Sequence, residues 1–138
     1  VPMKGLLNAG EVENKGIEFA ADANPSTKLS FHAAYSYIHM KSPVYATPEH
    51  QLFISSRYRL NKTSFMLSLQ HVANLDTDPS AKTYFEDFTL INARIAYRIF
   101  RFAEVFANAE NLLNKKYEQN RYYTMPGITA FTGLNLSF

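Results

Sequence analysis

Four histidines are the side chains in this sequence best suited to hold a metal ion or a haem: His32, His39, His50 and His71. Their spacing matches no ligand motif such as His-Glu-x-x-His. Antiparallel folding of the strands described below would bring His39 and His50 to one rim, with His71 near them. Isolated histidines at strand ends are usually polar rim residues, because a metal or haem site needs a converging set of ligands. We therefore predict no metal site and no cofactor.

Tyrosines gather in or near the loops predicted at the same rim: Tyr45, Tyr84, Tyr117, Tyr122 and Tyr123. Aromatic rings at such a position can stack on a siderophore or a similar ligand. They can equally form a girdle that anchors a barrel among lipid headgroups. Both interpretations stay open, and these tyrosines together with His39 and His50 are the candidate ligand-binding residues.

Catalytic signatures are missing from the sequence. It has no Gly-x-Ser-x-Gly elbow, no glycine-rich phosphate loop and no cysteine at all. The formal net charge of +2 is too small to indicate a nucleic-acid partner. We predict that the chain is neither an enzyme nor a nucleic-acid-binding protein.

Period-2 alternation of polar and apolar residues, typical of β-strands, runs through the whole chain. It predicts seven strands over residues 16–23, 28–40, 51–60, 62–75, 88–99, 101–111 and 128–138. Most are about ten residues or longer, which is the length that spans a bilayer when tilted. The mean hydropathy of −0.23 is too low for a helical membrane protein, but it suits a barrel with one lipid face and one wet face.

The last predicted strand places Leu134, Leu136 and the terminal Phe138 on one face. An aromatic residue that ends an amphipathic strand suits a transmembrane β-barrel, where the ring sits at the bilayer interface. An ordinary half-buried strand of a soluble sheet would show the same alternation.

Short and long connections alternate along the chain. Tight turns are predicted at residues 24–27, 61–62 and 100–101, and longer links at 41–50, 76–87 and 112–127. Outer-membrane barrels have short periplasmic turns and long extracellular loops, so this alternation favours a barrel. A barrel would keep charged residues off its lipid face, and the solvent side of a soluble sheet would carry them equally well. Six such residues fall on the predicted inner face: Arg57, Arg59, Arg94, Arg98, Glu104 and Glu110.

Four segments resemble motifs of the TonB-dependent outer-membrane receptors. The first is Asn14-Lys15-Gly16-Ile17-Glu18, with Gly16 and Glu18 at the motif positions, and the second is Thr47-Pro48-Glu49-His50. The third runs from Asn108 to Tyr117 and includes Asn111, Leu112 and Tyr117. The fourth is Met125-Pro126-Gly127 followed by the strand that ends at Phe138. Leu113 stands where the family usually has Phe, and Ile128 where it usually has Arg.

This resemblance implies an all-β fold, an antiparallel meander of about seven strands within a transmembrane barrel of about 22 strands. Residues 1–138 would form the C-terminal portion of that barrel. The opening Val1-Pro2-Met3 does not look like a natural start, so we expect a fragment whose plug domain, TonB box and preceding strands lie elsewhere. Strand ends and turns explain most of the motif residues: a bulge or close packing at Gly16, a strand start or the loop before it at Pro48, and turn chemistry at Asn111 and Pro126.

The function implied by the family is active import of a scarce nutrient such as an iron–siderophore complex, haem or cobalamin across the bacterial outer membrane. The implied partners are outer-membrane lipid, the plug and other strands of the full chain, the TonB complex, and the barrel-assembly machinery. Leu134, Leu136 and Phe138 would present the assembly signal. A passive porin and a soluble β-sandwich or lipocalin-like binding domain remain the alternatives. We also predict that the isolated fragment self-associates, because its sheet edges are open.

Overall fold

Seven antiparallel strands form one sheet in a computed structural model of the chain, which describes residues 14–41, 45–78 and 85–138. Each strand of this sheet pairs with the next strand of the sheet along the chain. The strands are β1 Asn14–Ala23, β2 Leu29–Met40, β3 Pro48–Leu60, β4 Thr63–Asp76, β5 Phe85–Phe100, β6 Ala103–Glu110 and β9 Thr129–Leu136. The predicted all-β meander of seven strands is thus confirmed.

Two short strands lie in the last long link, and the alternation pattern did not reveal them. They are β7 Glu118–Asn120 and β8 Tyr123–Thr124, which pair with each other in a separate two-stranded sheet. Segments of three and two residues are too short for a period-2 pattern to be detected. Strand β5 is also longer than predicted and begins at Phe85.

The strand register gathers the apolar side chains on one face of the sheet. Phe65 lies opposite Tyr58 on one neighbouring strand and Ile95 on the other, and Val105 lies opposite Leu134. We call this side the apolar face. The opposite side, the polar face, carries Arg57, Arg59, Arg94, Arg98, Glu104 and Glu110 at alternate strand positions. The sequence had predicted the same division for every strand.

Short turns and long links alternate along the sheet as predicted. The connections that precede β2, β4 and β6 cover residues 24–28, 61–62 and 101–102, and those that precede β3, β5 and β9 cover 41–47, 77–84 and 111–128. We call the two ends of the sheet the turn end and the link end. At the turn end Asn61 adopts a left-handed backbone conformation with φ of 53°, which a two-residue hairpin requires.

Most large apolar side chains of the apolar face are solvent-exposed, including Phe19 at 66% and Leu67 at 51%. The only sizeable buried cluster in the described ranges lies at the link end: Val72, Leu75, Phe88, Leu90 and Tyr117. Among residues 14–41, 45–78 and 85–138, no helix is long and apolar enough to cross a membrane. The sheet therefore buries little on its own and presents a broad apolar surface.

Candidate ligand-binding rim

The link over residues 111–128, here called the final link, folds back onto the sheet. The ring of Tyr117 packs on Phe88 of β5, with ring centroids 4.4 Å apart. Val72, Leu75 and Leu90 complete the cluster, and Met125 packs against it. Phe88, Leu90 and Val72 lie in register on the polar face, so the final link covers that face at the link end.

A hydrogen-bonded ion pair provides a second anchor for the final link. Arg121 Nη1 donates to Asp78 Oδ2 at 2.6 Å, and the Arg121 backbone N–H donates to the Thr77 carbonyl at 2.8 Å. Thr77 is 1% and Asp78 7% exposed. A partly buried, charge-assisted hydrogen bond of this kind is stronger than an exposed ion pair.

Asn111 organises the start of the final link. Its side-chain Nδ2 donates to the carbonyls of Lys115 at 2.9 Å and Pro126 at 3.2 Å, and its Oδ1 accepts from Lys115 N at 2.9 Å. Its φ of 53° is left-handed, a conformation that asparagine tolerates better than most residues. The buried amide therefore ties both ends of the final link together.

Asn114 and Gly127 form a second contact between the two ends. Asn114 is also left-handed, with φ of 51°, and its Oδ1 accepts a hydrogen bond from Ile128 N at 3.2 Å. A Cβ atom at Gly127 would collide with this same oxygen. Glycine is needed at 127 because the Asn114 amide occupies the space of a side chain.

Three of the candidate tyrosines, Tyr45, Tyr122 and Tyr123, lie on or beside the exposed part of the final link. Tyr122 and Tyr123 are 79% and 73% exposed, and the Arg121 guanidinium lies 4.7 Å from the Tyr122 ring centroid. The Tyr45 hydroxyl donates to Asn120 Oδ1 and so joins the 41–47 link to the final link. We call this group the tyrosine rim: Tyr45, Asn120, Arg121, Tyr122 and Tyr123. Exposed rings beside an amide and a guanidinium can stack on a planar ligand and hydrogen-bond to it.

Tyr117 and Tyr84 stand apart from the tyrosine rim. Tyr117 is 8% exposed, and burial, followed by the nearby Glu110 carboxylate, raises the pKa of its phenol above the ordinary value. The neutral ring therefore serves as a packing anchor in this structure. Tyr84 lies outside the described residues.

The histidine candidates lie on the apolar face, across the sheet from the final link. His50 Nδ1 is 2.7 Å from the Tyr35 hydroxyl, and His71 Nδ1 is 2.8 Å from Thr89 Oγ1. His39 lies on the same face, opposite Lys15. Within the described ranges no group of three or more His, Cys, Asp or Glu side chains is arranged to hold a metal ion.

The remaining motif residues lie within strands or at their ends, where they have structural contacts. Pro48 is the first residue of β3, and Glu18 lies opposite Ser36 on the polar face. A Cβ at Gly16 would come within 3.0 Å of the Tyr37 carbonyl oxygen, so the two strands approach closely there. The Leu112 backbone N–H donates to the Ile91 carbonyl at 2.9 Å.

The last strand places Leu134 and Leu136 on the apolar face, opposite Val105 and Ala103. Phe138 is fully exposed and stacks on Phe102, with ring centroids 6.3 Å apart. The exposed terminal ring and the two leucines form one apolar surface at the turn end.

Sequence reasoning missed several residues that build the rim: Thr77, Asp78, Phe88, Asn120 and Arg121. Their partners are distant in sequence, as the 43-residue separation of Arg121 and Asp78 illustrates. The only available signal was the position of Asp78 and Arg121 in the two long links at the same end of the predicted sheet.

Residues 4–112 match the family model described as TonB dependent receptor-like, beta-barrel. The match covers well over half of the 138 residues, and the chain therefore belongs to this family. The resemblance read from the sequence motifs is confirmed. A search of curated proteins finds no match.

Solved structures share the fold. The structure titled "Copper transporter OprC" aligns with a TM-score of 0.78 and 19% identity over 92% of this chain and 24% of that chain. The ferric-catecholate import receptor Fiu of E. coli K12, in its closed form, aligns with a TM-score of 0.73 and 20% identity over 91% of this chain and 21% of that chain. The chain thus spans about a quarter of the length of these proteins, and at such low identity the likeness shows the fold alone.

Proposed function

We propose that the chain forms part of the β-barrel of a bacterial outer-membrane, TonB-dependent receptor that imports a scarce nutrient by active transport. Membership in the receptor-like barrel family and a fold shared with two importers support this proposal. We place the apolar face against lipid and the polar face against the lumen, because a barrel spanning a membrane must do so. We place the link end outside the cell, because outer-membrane barrels have their long loops on that side.

The observation that carries the binding role is the tyrosine rim, held by an anchored link at the end of the sheet that would face outside. Tyr122 and Tyr123 are the most exposed tyrosines of the described ranges. The rim offers rings, an amide and a guanidinium, which suit a planar organic chelate better than a bare ion. We propose a metal chelate of the iron–siderophore, haem or cobalamin class as the substrate.

The test of the binding role uses the full-length receptor carrying Tyr122→Ala and Tyr123→Ala, assayed for binding of ferric siderophores and haem. We expect at least a tenfold weaker binding, because stacking contributes about 1 kcal/mol per aromatic pair. The matched control is Tyr97→Ala, at 46% exposure on the apolar face near the turn end. Equal binding by the double variant and the control would argue against the rim as the ligand site.

Active transport separates this proposal from a passive porin. We expect uptake by cells carrying the full-length receptor to stop when the proton gradient is collapsed or TonB is deleted. Uptake that continues unchanged would favour the porin. A full-length product that migrates identically in detergent gels with and without heating would favour a soluble binding domain instead.

The partners in the full receptor follow from the same proposal. Arg57, Arg59 and Arg98 lie on the polar face, and none of them forms an ion pair within the described part of the chain, although Glu104 lies opposite Arg98 in register. We propose that these guanidinium groups face carboxylates of the plug domain inside the lumen. The strand ending at Phe138 would be recognised by the barrel-assembly machinery, and TonB would bind a segment that precedes the barrel.

A further inference from the structure

At two glycines near the end of the chain, a side chain from another segment occupies the space where a Cβ atom would lie. Gly133 lies within β9, and a Cβ there would collide with the ring of Phe106, whose Cε1 atom would be only 2.7 Å away. At Gly127 the amide of Asn114 occupies the same space. Glycine weakens the interior of a strand, so its presence at 133 has a structural reason. We call these two close approaches the glycine contacts.

The Phe106 ring is positioned by contacts on both sides of β6. Phe106 lies opposite Gly133 on β9 and opposite Ala96 on β5. The Arg94 guanidinium lies over the ring, 4.4 Å from its centroid, and Arg94 Nη2 is 3.7 Å from Glu104 Oε1. A cation over the face of an aromatic ring is attracted to it. Three neighbouring strands therefore hold the ring over Gly133.

The apolar face of β6 and β9 does not select one register. The paired side chains there are all small or aliphatic: Ala103, Val105, Ala107 and Ala109 on β6, with Leu136, Leu134, Thr132 and Ala130 on β9. A slip of two residues keeps every side chain on its own face, and small or aliphatic side chains would still meet. The final link is long, so it does not impose a register as a two-residue hairpin does. Within the described residues, β6 is the only strand that pairs with β9 in the sheet.

The polar face does distinguish the registers. A slip of two residues would place Phe106 opposite Phe131 or Asn135, whose side chains would occupy the space that the ring needs. The same slip would replace Gly127, beside Asn114, by a residue that has a side chain. Only the register seen in the structure places a glycine at both contacts.

We propose that the two glycine contacts fix the register of β9 when the barrel assembles, and thereby set the position of the residues that follow this strand. A slip of two residues would move them by about 7 Å along the strand. It would remove the 2.8 Å hydrogen bond from Ser137 N to the Phe102 carbonyl and the stacking of Phe138 on Phe102. The inference goes beyond the proposed function, because it holds for a barrel that imports any nutrient.

The test uses the full-length receptor, refolded from urea into phosphatidylcholine vesicles, with disulfide formation as the measure of register. The pair Val105→Cys/Leu134→Cys reports the native register, since these two residues lie directly opposite each other. The pairs Val105→Cys/Thr132→Cys and Val105→Cys/Leu136→Cys report slips of two residues. In the native register their residues are diagonal neighbours with Cα atoms about 7–8 Å apart, beyond the reach of an ordinary disulfide. The 138 residues contain no cysteine that could compete.

We expect Phe106→Ala to raise the proportion of slipped disulfides about fivefold. Gly133→Ala should raise it as well, because the added methyl group displaces the ring. In the double variant Phe106→Ala/Gly133→Ala the second change should add nothing, since the ring is already absent. The matched control is Phe53→Ala, on the polar face of β3 and away from β9, which should leave the register unchanged. The same cycle of Asn114→Ala and Gly127→Ala tests the other glycine contact.

Slipped disulfides that are as rare in Phe106→Ala as in the wild type would overturn the proposal. A full additional effect of Gly133→Ala in the double variant would do the same. Heat-modifiable migration in gels shows first whether each variant assembles. If Gly133→Ala alone does not assemble, assembly of the double variant supports the proposal. Failure of the double variant where Phe106→Ala assembles contradicts it.

Discussion

Two asparagines of the final link occupy left-handed backbone conformations, which few residue types adopt readily. Asn111 and Asn114 are left-handed, and both use their amides to close the link upon itself. Alanine at either position would be sterically strained in that conformation. It would also lose the hydrogen bonds of the side-chain amide. Turn chemistry therefore explains these two motif residues without any ligand.

Replacing Asn111 by alanine should destabilise the final link. The change removes three hydrogen bonds of a residue that is 5% exposed, so we expect a loss of roughly 2–3 kcal/mol. The measurement is the rate of trypsin cleavage within residues 111–128 of the full-length barrel, read by mass spectrometry. Asn135→Ala on the exposed part of β9 is the control, and equal cleavage rates for the two variants would contradict the role of Asn111.

Among the elements, the final link is a long connection that packs against the sheet and is held there by two sets of contacts. Aromatic packing of Tyr117 on Phe88 and the pair of Arg121 with Asp78 attach it to β5 and to the end of β4. The tyrosine rim is positioned by these two attachments. Loosening either should disturb ligand binding without touching a rim tyrosine.

Neutralising one partner of the ion pair tests this attachment. Asp78→Asn leaves the partly buried Arg121 guanidinium without its carboxylate, so we expect trypsin to cut after Arg121 about tenfold faster. Asp22→Asn, in the exposed pair with His32 at the turn end, should leave the rate unchanged. A rate for Asp78→Asn that matches the Asp22 control would show that the pair does not hold the final link.

Alkaline pH tests the other attachment. Burial raises the pKa of Tyr117, so folding of the link favours the protonated phenol. Its stabilising contribution is complete below the ordinary tyrosine pKa of about 10 and is lost as the pH rises through the higher value of the folded state. We expect the wild-type link to become cleavable at high pH by a pH-stable protease, while Tyr117→Phe stays protected. Identical pH profiles would contradict the prediction.

At the scale of the molecule, the sheet formed by the described residues ends on two edge strands, β1 and β9, and has a broad exposed apolar face. In the full receptor neighbouring strands and lipid would cover these surfaces. In the isolated fragment nothing covers them, so backbone groups and apolar side chains remain exposed to water.

The isolated 138-residue chain should therefore self-associate in detergent-free buffer. Light scattering should report a dimer or a larger assembly, and detergent above its micelle concentration should reduce that mass. A charged residue at the centre of the apolar face, as in Leu67→Lys, should weaken the assembly, whereas Gln70→Lys on the polar face should not. A monomer in plain buffer would contradict this prediction.

The sequence by itself determined the seven strands of the main sheet, their faces and the alternation of turns and links. These features are local: side-chain alternation has a period of two, and Asn61 or Pro48 marks a strand boundary by its own backbone preferences. The motif residues of the final link were also visible, as were the tyrosines gathered near one end of the sheet.

Only the tertiary structure decided which candidates meet. It buried Tyr117 against Phe88, left Tyr122 and Tyr123 exposed, and placed His50 and His71 on the face away from the tyrosine rim. The pair of Arg121 with Asp78 joins residues 43 positions apart. The reason is physical: contacts between loops depend on where the strands bring their ends, and no local pattern records such long-range packing.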